Sequence, residues 1–279
     1  MLTQVTNDSK GYLHGYSQAE QQRLYDQAKF LSPYVYDQID LDGVSNLLEV
    51  GCGVGAQTAI LIERYPGLKI TAVDYEPKQV YKANRFLESD IKVGRVRVEL
   101  ADATALPYPD RYFESAFLCW VLEHVQDPKL VMSEVARVLV PGGRVIMTEV
   151  LNTPLTLYPR NSAVENYWQL YNEQQHRLGG DPIVGAKLGN LSNAVGLEVV
   201  RTRLLKYFMD GTSSVEDRRS FYTYWENLFL SAAPQLIAAK NISARDVEAM
   251  VEGFKAMKEN AESLFFLVAM QVTAQKKIL

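Results

Sequence analysis

Short apolar runs alternate with amphipathic segments between residues 46 and 150. The runs predict five β-strands, at residues 46–50, 69–73, 95–100, 113–119 and 144–150. The segments between them predict helices at residues 56–65, 77–87 and 128–139. Strands that alternate with helices through short loops are typical of a doubly wound parallel sheet. A ligand of such a sheet binds beyond the carboxyl ends of the strands, where the strand order reverses.

The flanking segments are less regular. Ser17 and Glu20 are spaced as a helix-capping box, and Leu24, Ala28 and Leu31 follow at helical spacing. The later pattern predicts a sixth strand within residues 196–208, a helix at 213–239, a capped helix that begins after Ser243 and a last strand at 265–272.

This organisation indicates one domain over residues 1–279. We expect an N-terminal helical lid at residues 1–45, a cofactor-binding core at 46–150, and the remaining strands with acceptor-binding insertions at 151–279. Within the lid, residues 1–16 are expected to close over the cofactor.

Composition narrows the range of functions. The chain is 47% hydrophobic and 22% charged, as in an ordinary globular protein, and its net charge is −4. The negative charge argues against nucleic acid as a partner. The apolar runs are shorter than the roughly 20 residues that a membrane span needs, and the start of the sequence has no signal-peptide pattern. We therefore expect a cytoplasmic protein.

Two cysteines and three histidines are too few for a disulfide framework or for a cysteine- and histidine-rich metal centre. No metal site is therefore predicted, and Cys52 and Cys119 are expected to be reduced, small apolar residues.

A glycine-rich loop between the first strand and the first core helix is the most informative segment. Gly51, Gly53 and Ala56 fit the loose G-x-G-x-x-G/A pattern of dinucleotide sites, and Asp74 follows the next strand, where a ribose-binding acid belongs. An NAD-dependent oxidoreductase is therefore one alternative. Glu49 argues against it, because a carboxylate beside the loop would repel a pyrophosphate and would suit a ligand with an ammonium group.

The motifs, taken in order, resemble those of class I S-adenosylmethionine-dependent methyltransferases, in the ubiquinone-biosynthesis-like and small-molecule branch. The matching segments are 48–55 for the glycine loop, 73–74 for the ribose acid, 101–110 for the adenine segment, 120–125 after strand four and 139–143 before strand five. The resemblance covers about residues 40 to 150. It implies a Rossmann-like, doubly wound, seven-stranded mixed α/β sheet whose last strand is antiparallel, with a helical insertion between the last two strands.

The resemblance also implies S-adenosylmethionine as cofactor and S-adenosylhomocysteine as product. It places the cofactor against these residues: Tyr16, Glu49, Gly51, Cys52, Gly53, Gln57, Asp74, Tyr75, Asp102, Ala103, Cys119 and Trp120. Asp74 is expected to accept from the ribose hydroxyls or to cap a helix, and Asp102 to accept from the adenine amino group or to form a turn. Leu106 is expected to cover the adenine or to pack in the core.

Candidate catalytic residues are His124, Glu123 and His176. His124 and Glu123 are expected at the start of the helix after strand four, where His124 is a general base or a packing residue. The predicted function is a transferase of small-molecule metabolism that moves a methyl group to an O, N or C atom of an aromatic or apolar acceptor. A non-catalytic S-adenosylmethionine-binding regulator is the other alternative. The aromatic segments 158–176 and 207–229 fit an acceptor pocket, a helical core or a homo-oligomer interface.

Overall fold

The computed structural model describes residues 12–278, and these contain a seven-stranded mixed sheet. Its strands are β1 Asn46–Val50, β2 Lys69–Asp74, β3 Val96–Leu100, β4 Phe113–Cys119, β5 Leu139–Tyr158, β6 Leu197–Met209 and β7 Leu264–Lys276. Their spatial order is β3-β2-β1-β4-β5-β7-β6. The last strand, β7, is antiparallel to both of its neighbours, whereas β1 to β5 pair in parallel. The predicted fold class is thus confirmed.

Nine α-helices are present in the described chain. They are α1 Gln18–Val35, α2 Ala56–Arg64, α3 Pro77–Phe86, α4 Glu88–Lys92, α5 Pro128–Val138, α6 Ser162–Arg177, α7 Leu188–Ala194, α8 Val215–Ala238 and α9 Ala244–Glu259. Helices α8 and α9 form the predicted insertion between the last two strands. No helix among residues 12–278 is long and apolar enough to cross a lipid bilayer.

The two faces of the sheet carry separate hydrophobic cores. Neighbouring strand residues point to opposite sides, so Leu47 packs in the core that includes α8 and α9, and Leu48 packs in the core that includes α5 and α7. The central strands β1, β2 and β4 are buried on both sides, because helices cover both faces of the sheet.

Helix starts follow the predicted capping chemistry with one exception. Ser17 accepts a 3.1 Å hydrogen bond from the backbone N–H of Glu20, and Ser243 and Asp246 form a complete capping box at α9. The Glu20 carboxylate does not reach back to Ser17. It is buried and accepts from Arg23 instead, at 2.6 and 2.7 Å.

Two local predictions are wrong. The sequence places His124 and Glu123 at the start of a helix, but both lie in a 3-10 turn, Leu122–His124, and the helix α5 begins at Pro128. The fifth strand extends to Tyr158 rather than ending at Val150, because β7 pairs with it along most of that length, with a register shift between Leu151 and Thr156.

Candidate active site

A cavity of about 550 Å³ lies beyond the carboxyl ends of the central strands. The ends of β1, β2 and β4 form its floor. Residues from α1, α6 and α8 and from the segment 12–16 form its walls. The position is the switch point of the strand order, since β1 and β4 are neighbours whose helices cover opposite faces of the sheet. Its volume is in the range of small-molecule sites.

The glycine loop is held by the second strand. The backbone N–H groups of Gly51 and Cys52 both donate to the carbonyl of Val73, at 2.8 and 3.0 Å. Gly51 has a φ of +70°, and a Cβ there would lie 2.5 Å from Cγ2 of Val121. Glycine is therefore required at this position both by the left-handed backbone and by a close approach.

Asp74 lies at the end of β2 and lines the cavity. Its Oδ2 accepts from the N–H of Gly53 at 2.8 Å, and its Oδ1 accepts from the N–H of Glu76 at 2.9 Å. Burial raises the pKa of this carboxyl and the two N–H donors lower it. Each carboxylate oxygen can accept a second bond, so Asp74 has capacity left for two ligand hydroxyls.

The predicted adenine segment borders the same cavity. Tyr75 is 58% exposed at its edge, and Asp102 and Ala103 line it. Oδ1 of Asp102 accepts from the N–H and the hydroxyl of Thr104, at 2.8 and 2.7 Å, so this residue does form a turn. Leu106 does not line the cavity and packs in the core with α5.

Glu49 is not where the sequence argument requires it. It is buried and absent from the cavity lining, and its Oε2 accepts a 2.6 Å hydrogen bond from the hydroxyl of Thr58 on α2. Burial raises the pKa of Glu49 to about 8, so the side chain holds little charge toward the cavity. Alternation along β1 explains the difference, because Val50 rather than Glu49 reaches the cavity.

Cys52, Cys119, Gln57 and Trp120 line the cavity floor. Burial raises the pKa of both cysteine thiols, so neither is a thiolate. Trp120 follows β4 directly and has a φ of +56°, an uncommon conformation for a bulky residue that directs the chain into the 3-10 turn. Gln57 accepts a hydrogen bond from the hydroxyl of Tyr36.

Two buried carboxyl groups support the turn after β4. Glu149, on β5, accepts from the backbone N–H groups of Val121 and Leu122 at 2.9 and 2.8 Å. Glu123, which lines the cavity, accepts from Nε2 of Gln175 at 2.6 Å. Burial raises the pKa of both carboxyl groups, and the charge of Glu123 raises the pKa of Glu149 further. The sequence analysis missed Glu149; an acid inside an apolar strand was its only signal.

His124 lines the cavity beside this pair. Its Nε2 lies 3.6 Å from Oε1 of Glu123, and its ring packs edge-on against Tyr12 with centroids 4.8 Å apart. Burial is the main reason that the pKa of His124 is lowered to about 4. The imidazole is therefore neutral at pH 7 and can accept a proton.

Of the other two histidines, His14 lines the cavity and His176 does not. His176 is exposed near the end of α6 and does not line the cavity, so it is not a candidate base. His14, which was not among the predicted candidates, lines the cavity near His124, with ring centroids 6.3 Å apart. Tyr16 also lines the cavity, and its ring stacks on Tyr12 at 5.2 Å.

The aromatic segments serve both as core and as cavity wall. Trp168, Tyr171, Tyr207, Tyr224 and Trp225 line the cavity. In contrast, the core holds Tyr167, Phe221, Tyr222 and Phe229, and Tyr158 and Phe208 are exposed. The same helices supply both groups, because one helical face meets the sheet and an adjacent face meets the cavity.

The charges around the cavity suit a cationic ligand. Among the described lining residues, the carboxyl groups are those of Asp74, Asp102 and Glu123, and the cation is Arg23, which is paired with Glu20. S-adenosylmethionine carries an ammonium and a sulfonium. The space above Gly53 is also open, since a Cβ there would meet its nearest neighbour, Leu24, at 3.8 Å. The residues present therefore fit this cofactor.

Comparison with known proteins agrees with the geometry. A family profile described as "Methyltransferase domain" matches residues 48–147. The chain is 34% identical over 142 residues to the 27-O-demethylrifamycin SV methyltransferase of Amycolatopsis mediterranei (strain S699), a match that covers 50% of this chain and 52% of that protein. The chain thus spans about half the length of the curated relatives it matches.

Solved structures share the fold at low identity. The cyclase SpnF aligns with a TM-score of 0.54 and 21% identity, over 98% of this chain and 89% of that one. The geranyl diphosphate C-methyltransferase from Streptomyces coelicolor A3(2) aligns with a TM-score of 0.51 and 14% identity, over 90% and 78%. These likenesses establish the fold and not the reaction.

The matched profile covers the strands whose ends build the cavity floor, and the cofactor of this family fits the residues there. The match favours the methyltransferase over the nicotinamide alternative, and the Glu49 carboxylate is no part of the reason because it does not line the cavity. Residues 48–147 therefore match a methyltransferase domain in sequence, and the cavity at their strand ends has the charge and the open glycine loop that suit S-adenosylmethionine.

Proposed function

We propose that this chain transfers a methyl group from S-adenosylmethionine to a hydroxyl group of a small, largely aromatic or apolar molecule. The observation that carries the proposal is the position of His124. This neutral imidazole lines the same cavity as the glycine loop, Asp74 and the aromatic wall. A general base at the junction of a cofactor site and an acceptor site suits a nucleophile that must lose a proton.

The two ends of the cavity have different tasks. The cofactor, when bound, supplies a methyl group on a positively charged sulfur. Asp74 and the loop around Gly53 would hold its ribose portion. Tyr75 and Asp102 would border its adenine. Holding the acceptor oxygen, the methyl group and the sulfur in line accounts for a large part of the acceleration in such a displacement.

His124 would take the acceptor proton as the oxygen–methyl bond forms and the methyl–sulfur bond breaks. The methyl group then resides on the acceptor oxygen, the proton on the imidazole, and the neutral sulfide departs as S-adenosylhomocysteine. Oε1 of Glu123, 3.6 Å from Nε2, would stabilise the imidazolium. The ring of Tyr12 and the segment that continues to Tyr16 would keep water from this side of the cavity.

The acceptor's character is inferred from the wall. Trp168, Tyr207 and Trp225 present large flat surfaces, which favour an aromatic or extended apolar molecule. The similar proteins named above fit this size class, since one is named for a rifamycin and another for geranyl diphosphate. Transfer to oxygen suits this base, because a hydroxyl loses its proton on methylation and the neutral His124 can take it.

The test is transfer of a deuterated methyl group from labelled S-adenosylmethionine to a metabolite library, read by mass spectrometry. His124→Gln should lower kcat by about 10²- to 10⁴-fold, the usual contribution of a general base. The affinity for S-adenosylmethionine, measured by calorimetry, should be retained. His176→Gln is the matched control, because this exposed histidine should leave both quantities unchanged.

Three outcomes are distinguishable. Cofactor binding with labelled product supports the proposal. Cofactor binding with no labelled product from any library or extract supports the non-catalytic regulator instead. A labelled product with unchanged kcat in His124→Gln would show that His124 is only a packing residue.

A further inference from the structure

A chain of hydrogen bonds joins the N-terminal segment to α8. Oγ of Ser231 donates to the carbonyl of Leu228 at 2.6 Å, and the same oxygen lies 2.6 Å from Nδ1 of His14. A hydroxyl has one proton, and that of Ser231 is used on Leu228. Nδ1 of His14 must therefore carry a proton and donate it to Ser231.

The other ring nitrogen then has a defined role. In a neutral imidazole with a protonated Nδ1, Nε2 is an acceptor. Nε2 of His14 lies 3.0 Å from the hydroxyl oxygen of Tyr171. Tyr171 consequently donates its one proton to His14. Burial and the nearby Arg23 keep His14 neutral, because both lower its pKa well below 6.5.

The hydroxyl oxygen of Tyr171 then has only lone pairs available for a further hydrogen bond. Its ring is fixed by stacking on Trp168, with centroids 4.8 Å apart, and by Phe229 at 6.3 Å. Both Tyr171 and His14 line the cavity. An oxygen held in this way can accept a hydrogen bond from a ligand but has no proton to offer one.

We propose that Tyr171 is a specificity-determining residue, through which the cavity selects acceptors with a hydrogen-bond donor and discriminates against the matching ether or carbonyl compound. His14 and Ser231 are positioning residues, because their hydrogen bonds direct the proton of the Tyr171 hydroxyl away from the cavity. The inference rests on the proposed function, because it concerns the acceptor bound in the same cavity. A site built around a fixed acceptor oxygen rejects ligands that would leave that oxygen unpaired.

The test uses the protein saturated with S-adenosylhomocysteine, so no turnover is needed. Phenol and anisole have one ring and one oxygen, but phenol alone can donate. Calorimetry should show phenol binding about tenfold more tightly than anisole in the wild type. Tyr171→Phe keeps the ring and should abolish this preference. Tyr167→Phe is the matched control on the same helix: its hydroxyl donates to the carbonyl of Phe229 outside the cavity lining, so the preference should persist.

His14→Leu tests whether His14 is the group that accepts the proton of the Tyr171 hydroxyl. With Nε2 removed, the Tyr171 proton is released toward the cavity, so acetophenone, which only accepts, should bind several-fold more tightly than in the wild type. An independent measurement is the ¹⁵N spectrum of His14 in the wild-type protein, which should report a neutral ring protonated at Nδ1.

The proposal is overturned if phenol and anisole bind equally or not at all, or if the preference survives in Tyr171→Phe. It is likewise overturned if His14 is protonated at Nε2. These results concern ligand discrimination in the product-bound protein. They are separable from the failure of methyl transfer, which would appear in the labelling experiment while the probe discrimination stayed intact.

Discussion

Oδ2 of Asp74 accepts a 2.8 Å hydrogen bond from the backbone N–H of Gly53. The acid at the end of β2 thus holds the glycine loop that follows β1. One residue has two tasks, to fix the loop and to offer its remaining lone pairs to a ligand.

Asp74→Ala should weaken the binding of S-adenosylmethionine by about 2–4 kcal/mol, the loss expected for hydrogen bonds to a charged acceptor. Calorimetry measures the effect. Asp127→Ala is the control, since Asp127 caps α5 through a 2.9 Å bond to the N–H of Leu130. It should cost about 1 kcal/mol of folding stability and leave the cofactor affinity unchanged. If Asp74→Ala weakens the binding of S-adenosylmethionine by less than about 0.5 kcal/mol, Asp74 is only a local cap, as Asp127 is.

Two glycines of the loop, Gly51 and Gly53, should differ in their tolerance of a side chain. Gly51→Ala meets both a φ of +70° and Val121 at 2.5 Å, so we expect a loss of about 2–5 kcal/mol in the free energy of unfolding. Gly53→Ala meets strain alone, so the protein should fold with a loss of about 1–2 kcal/mol and bind the cofactor less tightly.

Gly67→Ala is the control for both substitutions, because Gly67 has no neighbour within 4 Å and no positive φ. Denaturant unfolding and calorimetry on the three variants give the comparison. Equal losses for Gly51→Ala and Gly53→Ala would contradict the packing argument.

His124 should impose a pH dependence on stability. Its pKa is lowered from 6.5 to about 4 in the folded state, mainly by burial. Between these values the unfolded chain binds a proton that the folded chain does not, so the contribution of His124 to stability is present above pH 6.5 and is lost as the pH falls toward 4. The free energy of unfolding of the wild type, minus that of His124→Gln, should therefore decrease over this range by at most about 1.4 kcal/mol per pH unit.

Urea unfolding at several pH values between 4 and 8 measures the difference. Groups that titrate in both proteins and lie far from residue 124 cancel in the subtraction to first order. His176→Gln should follow the wild type throughout. A difference that does not change with pH would mean that the ring is hydrated and titrates normally.

The N-terminal segment should become protected when product binds. Residues 1–11 of the predicted lid lie outside the described residues, but residues 12–16 contact the insertion: Nε2 of Gln235 donates to the carbonyl of Tyr12 at 2.7 Å. We expect amide hydrogen exchange at residues 12–16 to slow when S-adenosylhomocysteine is added, because this segment lines the cavity.

Gln235→Met removes the donor and keeps the length of the side chain, so it should reduce the protection of residues 12–16. Asn241→Ala, which removes a surface contact with Arg177 and Gln174, is the control and should leave the protection unchanged. Exchange at residues 12–16 that is the same with and without ligand would reject the lid.

Local sequence signals were enough to predict much of the part of the fold that forms the cofactor site. The short apolar runs, the glycines and the turn residues predicted all seven strands, because these features act over a few residues and depend little on the rest of the chain. They also predicted that Gly51, Asp74 and Trp120 share one cavity, since parallel strand ends meet at one edge of the sheet.

What the sequence could not supply is the pairing of side chains that are distant along the chain. Glu49 has the right charge and spacing for a ligand, yet strand alternation turns it to Thr58. His14 and Tyr171 are 157 residues apart and meet at 3.0 Å only because α6 and α8 pack against the N-terminal segment. His176 belongs to the same helix as Tyr171, and its place on the solvent side follows from which face of α6 is buried. Short-range patterns predicted the strands and the cofactor loop, whereas the contacts that build the acceptor wall depend on long-range packing that no local period encodes.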